Sequence, residues 1–244
     1  MQQETSLNVV SRMDQRFYPE FVSGWDDLAF RDFILQRIRN DYRILDLGAG
    51  AGRIAPMNFR GLAREVCGVD PDPRVSENPY LDDAKVGFGE QIPYENLSFD
   101  LVFADNVLEH LIDPLQVFKE VSRVLRPGGV FLFKTPNRNH YMPLAARLTP
   151  HAFHVFYNRL RGRAGEDTFP TVYRANTPAE AVTHGNKAGL VAGEFRLIEG
   201  RPEYLRFSPA PYACGLVYER IVNATDALQR FRILMIGELK KPPV

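Results

Sequence analysis

The chain has 244 residues, 45% hydrophobic and 25% charged, with 30 basic and 30 acidic side chains that cancel at neutral pH. That length suits one large domain with a sizeable core, and the charge balance argues against the basic excess with which nucleic-acid binders displace counterions. Two cysteines, Cys67 and Cys214, lie far apart and outside any CxxC pair. They argue against a disulfide framework or a thiolate zinc site, so no metal and a reducing compartment are expected. The opening MQQETSLNVV lacks a basic start followed by an apolar core. No stretch reaches the roughly 20 apolar residues of a membrane span. The expectation is a soluble, cytoplasmic chain.

In chain order, residues 1–42 mix polar positions with Phe17, Tyr18, Phe21, Trp25, Phe30, Phe33 and Tyr42. Leu28, Phe30, Phe33, Ile34 and Ile38 recur at helical spacing, which predicts an amphipathic helix over 26–39 within an N-terminal helical flap. Tyr18, Phe21 and Trp25 admit two readings, a cap over a bound ligand or packing on a sheet. Short apolar runs then alternate with helical segments: RILDL (43–47), REVCGVD (64–70), AKV (84–86), FDLVFAD (99–105) and GVFLFKT (129–135). Leu115, Phe118, Val121, Val124 and Leu125 mark one face of a helix over 114–125, stopped by Arg126-Pro127-Gly128-Gly129. Strand–helix alternation with apolar strands predicts a parallel sheet covered on both faces, with right-handed crossovers.

Residues 138–176 break this rhythm and read as an insertion, partly helical around 150–161. A helix over 178–188, a strand over 192–198, a hydrophobic segment over 210–228 and a last strand over 230–236 follow. The expected division of one domain is a flap (1–42), a binding core (43–137), an insertion (138–176) and a completion of the sheet (177–244).

Ile44-Leu45-Asp46-Leu47-Gly48-Ala49-Gly50-Ala51-Gly52-Arg53 follows the first strand and is expected to open into a helix. Glycines 48 and 50 let the backbone turn sharply and approach a ligand without a Cβ in the way. A dinucleotide fingerprint would place a third glycine at position 53. Arg53 stands there, and the third glycine is Gly52. Asp46, on the strand just before the loop, would repel a pyrophosphate but could hold an ammonium group, as S-adenosylmethionine carries. Gly68-Val69-Asp70 ends the second strand, and Asp70 can accept hydrogen bonds from both ribose hydroxyls. A plain strand–helix turn at 48–52 and simple turn chemistry at Asp70-Pro71 are the structural alternatives.

Taken together, LDLGAGAGR (45–53), GVD (68–70), GEQIPYENLSFDLVFADNVLEHL (89–111) and RVLRPGG (123–129) resemble the class I S-adenosylmethionine-dependent methyltransferases. The resemblance is to the small-molecule type with a compact methyltransferase domain, and it runs from about residue 42 to 137. It implies a Rossmann-like, doubly wound, mostly parallel seven-stranded α/β sheet with helices on both faces and an antiparallel last strand. It implies S-adenosyl-L-methionine as cofactor, with Asp46, Gly48, Ala49 and Gly50 toward the methionine moiety and Asp70 and Pro71 at the ribose. Gly89, Glu90 and Gln91 would border the adenine, and Ala104, Asp105 and Asn106 would line the cavity beside the sulfonium. Many relatives carry Asp two residues before Glu90; here the residue is Phe88, which could instead pack on the adenine face.

Methyl transfer from a sulfonium is an in-line displacement that depends on positioning, with a base where the acceptor must lose a proton. His110 is the candidate base; its alternative is packing at a helix start, and Glu109 reads as a structural hydrogen-bond partner. Candidate acceptor contacts are Tyr18, Trp25, Asn137, His140, Tyr141, His154 and Arg174. The histidines and arginines of the insertion suggest either a lid over a small, possibly anionic acceptor or a solvated basic loop. His140, His151 and His154 lack the paired carboxylates of a metal site. Segment 209–224 is apolar enough for core packing, an interface or membrane contact, and core packing is preferred. The competing functions are another use of the same cofactor, in cyclisation or alkyl transfer, and a non-catalytic cofactor-binding subunit. An NAD-dependent dehydrogenase fits less well, because of Asp46 and Arg53.

Overall fold

The five expected core strands form where the apolar runs place them. In the computed structural model, which describes residues 2–21, 24–148 and 170–243, they are β1 (Arg43–Leu47), β2 (Glu65–Asp70), β3 (Asp83–Val86), β4 (Phe99–Asp105) and β5 (Leu125–Pro136). β6 (Val191–Ile198) and β7 (Leu234–Lys240) complete a seven-stranded sheet in the order β3-β2-β1-β4-β5-β7-β6. Strands β1 to β5 pair in parallel. β7 runs antiparallel to β5: Gly128 N donates to Lys241 O at the start of β5, and Asn137 N donates to Ile233 O past its end.

The helices are α1 (Gln2–Phe17), α2 (Trp25–Leu35), α3 (Pro114–Val124), α4 (Tyr141–Leu148), α5 (Pro178–Lys187) and α6 (Pro209–Asn223). α3 starts on Pro114 behind an Asp113 cap that accepts from Gln116 N, and its apolar stripe is fully buried. On that face of the sheet Phe118 lies edge-on to Phe131 at 5.5 Å and near His184 of α5 at 5.9 Å. On the opposite face Phe59 meets Phe103 at 5.2 Å, and Arg31 of α2 stacks on Phe59 while donating to the carbonyls of Pro56 and Asn58. Phe30, Phe33 and Ile34 of α2 are fully buried. Both faces are therefore covered, as the alternation of strands and helices requires.

Several expectations are corrected. No α-helix follows the glycine loop: residues 48–64 contain only a three-residue 3₁₀ turn, Ala55–Met57. Pro56 and Gly61, the latter at φ +79°, leave no uninterrupted run for a longer helix. β5 begins at Leu125 rather than 129, because Arg126–Gly129 form an irregular first stretch of the strand, with a register shift opposite Phe99 and Leu101 and Gly128 at φ +81°. The last strand lies at 234–240 rather than 230–236, and residues 226–231 form a 3₁₀ helix instead. Glu238 is buried on this strand and paired with Arg37. α2 stops at Leu35 rather than 39, and α1 and α4 were not expected. The helix expected around 150–161 lies outside the described residues.

The chain divides into two units, Asp26–Pro136 with Thr171–Arg196 and Met235–Val244, and Met1–Trp25 with Asn137–Pro170 and Leu197–Leu234. In the second unit α1 packs on α6 through Asp14, which accepts from Tyr212 Oη at 2.7 Å and Arg206 at 2.5 Å, and through Tyr18, whose hydroxyl donates to Glu219 at 3.0 Å. α6 thus buries Tyr212, Gly215, Glu219 and Val222 on one face and exposes Val217 and Ile221 on the other. Among the described residues no helix is long and apolar enough to cross a membrane.

Candidate active site

The glycine loop and two carboxylates meet at the C-terminal ends of β1 and β2, where open α/β sheets bind ligands. Gly48 (φ +84°), Gly50 (+50°) and Gly52 (+70°) all occupy the left-handed region that glycine alone adopts without cost. Gly48 N and Ala49 N both donate to Val69 O, at 2.8 and 3.3 Å, which folds the loop over β2. Asp70 Oδ2 accepts from Gly50 N at 2.9 Å and Oδ1 accepts from Asp72 N at 2.8 Å. Pro71, between these partners, is exposed. Asn78 braces the loop from outside, its amide donating to Ala49 O at 2.9 Å and Gly50 O at 3.2 Å.

The glycines play different parts. A Cβ on Gly48 would collide with Val107 Cγ2, whereas a Cβ on Gly50 would meet no atom within 4 Å. Gly48→Ala is therefore expected to cost about 2–3 kcal/mol of stability, from overpacking and backbone strain together. Gly50→Ala should cost only about 1 kcal/mol for its backbone yet weaken ligand binding by filling the cradle. Denaturant melts beside a ligand titration separate the two effects.

The strand register sets a row of charges on one face of the sheet. Asp46 pairs with Phe103, two residues before Asp105, and Asp105 pairs with Lys134, so side-chain alternation puts Asp46, Asp105 and Lys134 on the same side. Asp70, two residues beyond Gly68, the partner of Asp46, extends the row. Asp46 is buried, and burial, with Asp105 and Asp70 nearby, holds its carboxyl well above the usual range. Burial likewise pushes Asp105 up to about 6, against the pull of Lys134. Lys134 is fully buried and contacts three carboxylates: Asp105 Oδ1 at 2.9 Å, Asp26 Oδ2 at 3.1 Å and Asp27 Oδ1. Burial works against its charge, but those carboxylates outweigh it and hold the ammonium above its ordinary range. Lys134 escaped the sequence reading; its only signal was a charge near the end of an apolar strand.

The remaining candidates are placed as follows. Gly89, Glu90 and Gln91 form a turn after β3, with Gln91 N donating to Phe88 O at 3.1 Å and Gln116 of α3 donating to Glu90 O at 3.1 Å. Phe88 is 64% exposed beside this turn. Asn106, at φ +53°, donates its N–H to Lys134 O and ends β4. His110 closes a 3₁₀ turn, Leu108–His110. Glu109 is buried and accepts from Thr135 Oγ1 at 2.8 Å, which in turn accepts from Asn176 at 2.6 Å. Burial raises the Glu109 carboxyl, and its backbone carbonyl accepts from Val172 and Tyr173. Arg174 is exposed and donates to Ile112 O at 2.5 Å.

Five acceptor candidates among the described residues belong to the other unit and are engaged within it. The Asn137 amide donates to the carbonyls of Arg230 and Arg232, both at 2.8 Å, and its oxygen accepts from Asn139 N. That commits Asn137 to bracing the chain rather than to a ligand. Asn137→Ala should cost about 1–2 kcal/mol in chemical denaturation, since it leaves two part-buried carbonyls without donors. His140 is 1% exposed, accepts from Met142 N through Nδ1 and faces Glu199 through Nε2 at 3.4 Å. Its ring packs on Tyr141 at 4.0 Å and Tyr218 at 5.3 Å, so both His140 and Tyr141 are spent on packing. Tyr18 meets Phe21 at 5.9 Å, and Trp25 packs on Phe21 at 5.6 Å. Of their two readings, packing is the one seen within this unit. His154, with His151, lies outside the described residues.

Comparison with known proteins agrees with this geometry. Residues 45–133 match the family model described as a methyltransferase domain. A Mycolicibacterium smegmatis protein named as a probable S-adenosylmethionine-dependent methyltransferase is 38% identical over 118 residues, 46% of this chain and 44% of the relative. The uncharacterized methyltransferase YcgJ of Bacillus subtilis is 32% identical over 132 residues, 50% of this chain and 49% of the relative. The alignment thus spans about half the length of each relative. In fold, the chain superposes on YcgJ with a TM-score of 0.56 at 20% identity, over 88% of this chain and 99% of that one. A Haloferax volcanii protein in complex with the Trm112 methyltransferase activator gives 0.61 at 18% identity, over 91% and 92%. The match over residues 45–133 to a methyltransferase domain thus covers the glycine loop, Asp46 and Asp70, and strands β1 to β4 of the seven-stranded sheet.

Proposed function

We propose that the protein is an S-adenosylmethionine-dependent methyltransferase acting on a small organic acceptor. The observation that carries this reading is the open space at Gly50, whose N–H donates to Asp70, in the loop that follows the strand carrying the buried Asp46. The residues fit the cofactor. Asp70 uses one lone pair of each oxygen on the loop and keeps others for ribose hydroxyls, since a carboxylate offers about four acceptor sites. Asp46, costly to bury as a bare anion, gains a counter-ion from the cofactor's ammonium group. Bound there, the cofactor supplies an activated methyl group, and the protein contributes orientation and exclusion of water.

Gly89, Glu90 and Gln91 would border the adenine, with the exposed Phe88 available to stack on it. Asn106 and Asp105 stand at the end of β4, where the methyl group would be presented. His110 is proposed only as a neighbour of that position, since a base is needed only for acceptors that must shed a proton. A reducing, cytoplasmic setting accords with two free thiols, Cys67 and Cys214.

The test is turnover by the purified chain alone. Formation of S-adenosylhomocysteine that depends on a small-molecule extract supports the enzyme. Tight cofactor binding without turnover until a second protein is added supports a subunit that works with a partner, the arrangement the Haloferax volcanii complex illustrates for another protein. Turnover without methylated product points to another use of the cofactor.

A further inference from the structure

Within this proposed site the charge on the acceptor side is unbalanced. Asp26, Asp27 and Asp105 share one cation, Lys134. The side chain of Asp105 is only 6% exposed, and its Oδ2 has no hydrogen-bond partner. Lys134 Nζ lies 2.9 Å from Oδ1, which leaves Oδ2 as the oxygen without a partner. Native proteins rarely leave a buried carboxylate in this condition without a functional reason. Its place is also telling: Asp105 is the last residue of β4, beside Asn106 in the left-handed region, at the end of the sheet where the cofactor loop opens. The expected anionic acceptor rested on arginines of the insertion. Among the described residues Arg174 is bonded to Ile112 O, and no arginine is seen on this row.

We propose that the acceptor carries a protonated amino group and that Asp105 anchors it by accepting its N–H. An ammonium group supplies what the site lacks, a positive charge with several donors, and a charge-assisted hydrogen bond to a buried carboxylate is among the stronger polar contacts. A carboxylate-bearing acceptor would meet Asp105 with like charge, beside Asp26 and Asp27. Lys134, already held by three carboxylates, has no donor to spare for it. Asp105 is thus the residue that determines the acceptor's charge class.

The inference rests on the methyltransferase reading, and one experiment separates the two. The full chain is saturated with S-adenosylhomocysteine and its melting temperature followed against matched probes, phenethylamine with phenylacetate and putrescine with succinate. The expected result is a dose-dependent rise with the amines and none with the carboxylates. Asp105→Asn, which keeps the shape and leaves Asp26 and Asp27 on Lys134, should weaken the amine response by about tenfold or more. It should leave affinity for both S-adenosylhomocysteine and S-adenosylmethionine within about twofold, and Asp105→Glu should restore part of the amine response. An amine response unchanged in Asp105→Asn, an equal or greater response to carboxylates, or no response to any probe overturns the proposal. Loss of S-adenosylmethionine but not S-adenosylhomocysteine affinity in Asp105→Asn also overturns it, because Asp105 would then face the sulfonium. Failure of native protein to bind S-adenosylhomocysteine would instead overturn the underlying methyltransferase reading.

Discussion

Replacing Asp70 by alanine is expected to weaken S-adenosylmethionine binding by roughly 30- to 100-fold, or about 2–3 kcal/mol. Two losses combine. The carboxylate that would hold the ribose disappears, and Gly50 N and Asp72 N lose the acceptors that shape the turn. The second loss alone should cost about 1–2 kcal/mol of stability, since two charge-assisted hydrogen bonds are removed from a half-buried site. Asp70→Asn keeps one acceptor oxygen and should fall between native protein and Asp70→Ala. Calorimetric titration of the three proteins checks this order. Equal affinity in all three would remove Asp70 from the cofactor site.

The largest effect on stability is expected at Lys134. Lys134→Met keeps the length of the side chain but leaves Asp26, Asp27 and the buried Asp105 without their shared cation. Removing one partner from a buried ion cluster typically costs about 3–5 kcal/mol, and we expect that loss near neutral pH. The sign of the pH dependence follows from Asp105. Its folded value of about 6 lies above its ordinary range, so the folded state holds its proton more tightly than the unfolded state. Burial of its charge therefore opposes folding above that value, and the penalty fades as acid protonates the group. Without Lys134 the opposing pull is gone and the carboxyl rises further. The deficit of Lys134→Met should thus shrink as pH falls from about 7 to about 5. Urea melts across that range measure it. A deficit below about 1 kcal/mol, or one independent of pH, would mean that the cluster is relaxed and hydrated.

The same residue shows what sequence could and could not reveal. The five core strands and α3 were legible because short apolar runs and a 3.6-residue stripe are local signals. The pairing of Lys134 was not: its partners Asp26 and Asp27 stand 108 and 107 positions away, and only the fold brings them together. Asn78 was missed for the same reason, since nothing near it marks it as the brace for Ala49 and Gly50. The last strand runs on through Glu238, whose charge is paired by Arg37, 201 positions away. The helix expected after the glycine loop was an error of a different kind. Pro56 and Gly61 interrupt the run that such a helix needs. Among the acceptor candidates, Asn137 and His140 looked reactive by residue type. Their burial and hydrogen bonds tie both to the scaffold instead.

The most direct measurement is a calorimetric titration of the purified full chain with S-adenosylmethionine, with NAD as the control and a parallel melting curve. A ligand present at about 100 times its dissociation constant stabilises a native state by roughly 2.7 kcal/mol, which a melt resolves readily. Saturable binding of S-adenosylmethionine with that stabilisation, and none with NAD, is the expected result, because the buried Asp46 suits an ammonium group and repels a pyrophosphate. Binding of NAD alone, or of neither ligand by a folded sample, would contradict a cofactor site built on Asp46, Gly50 and Asp70.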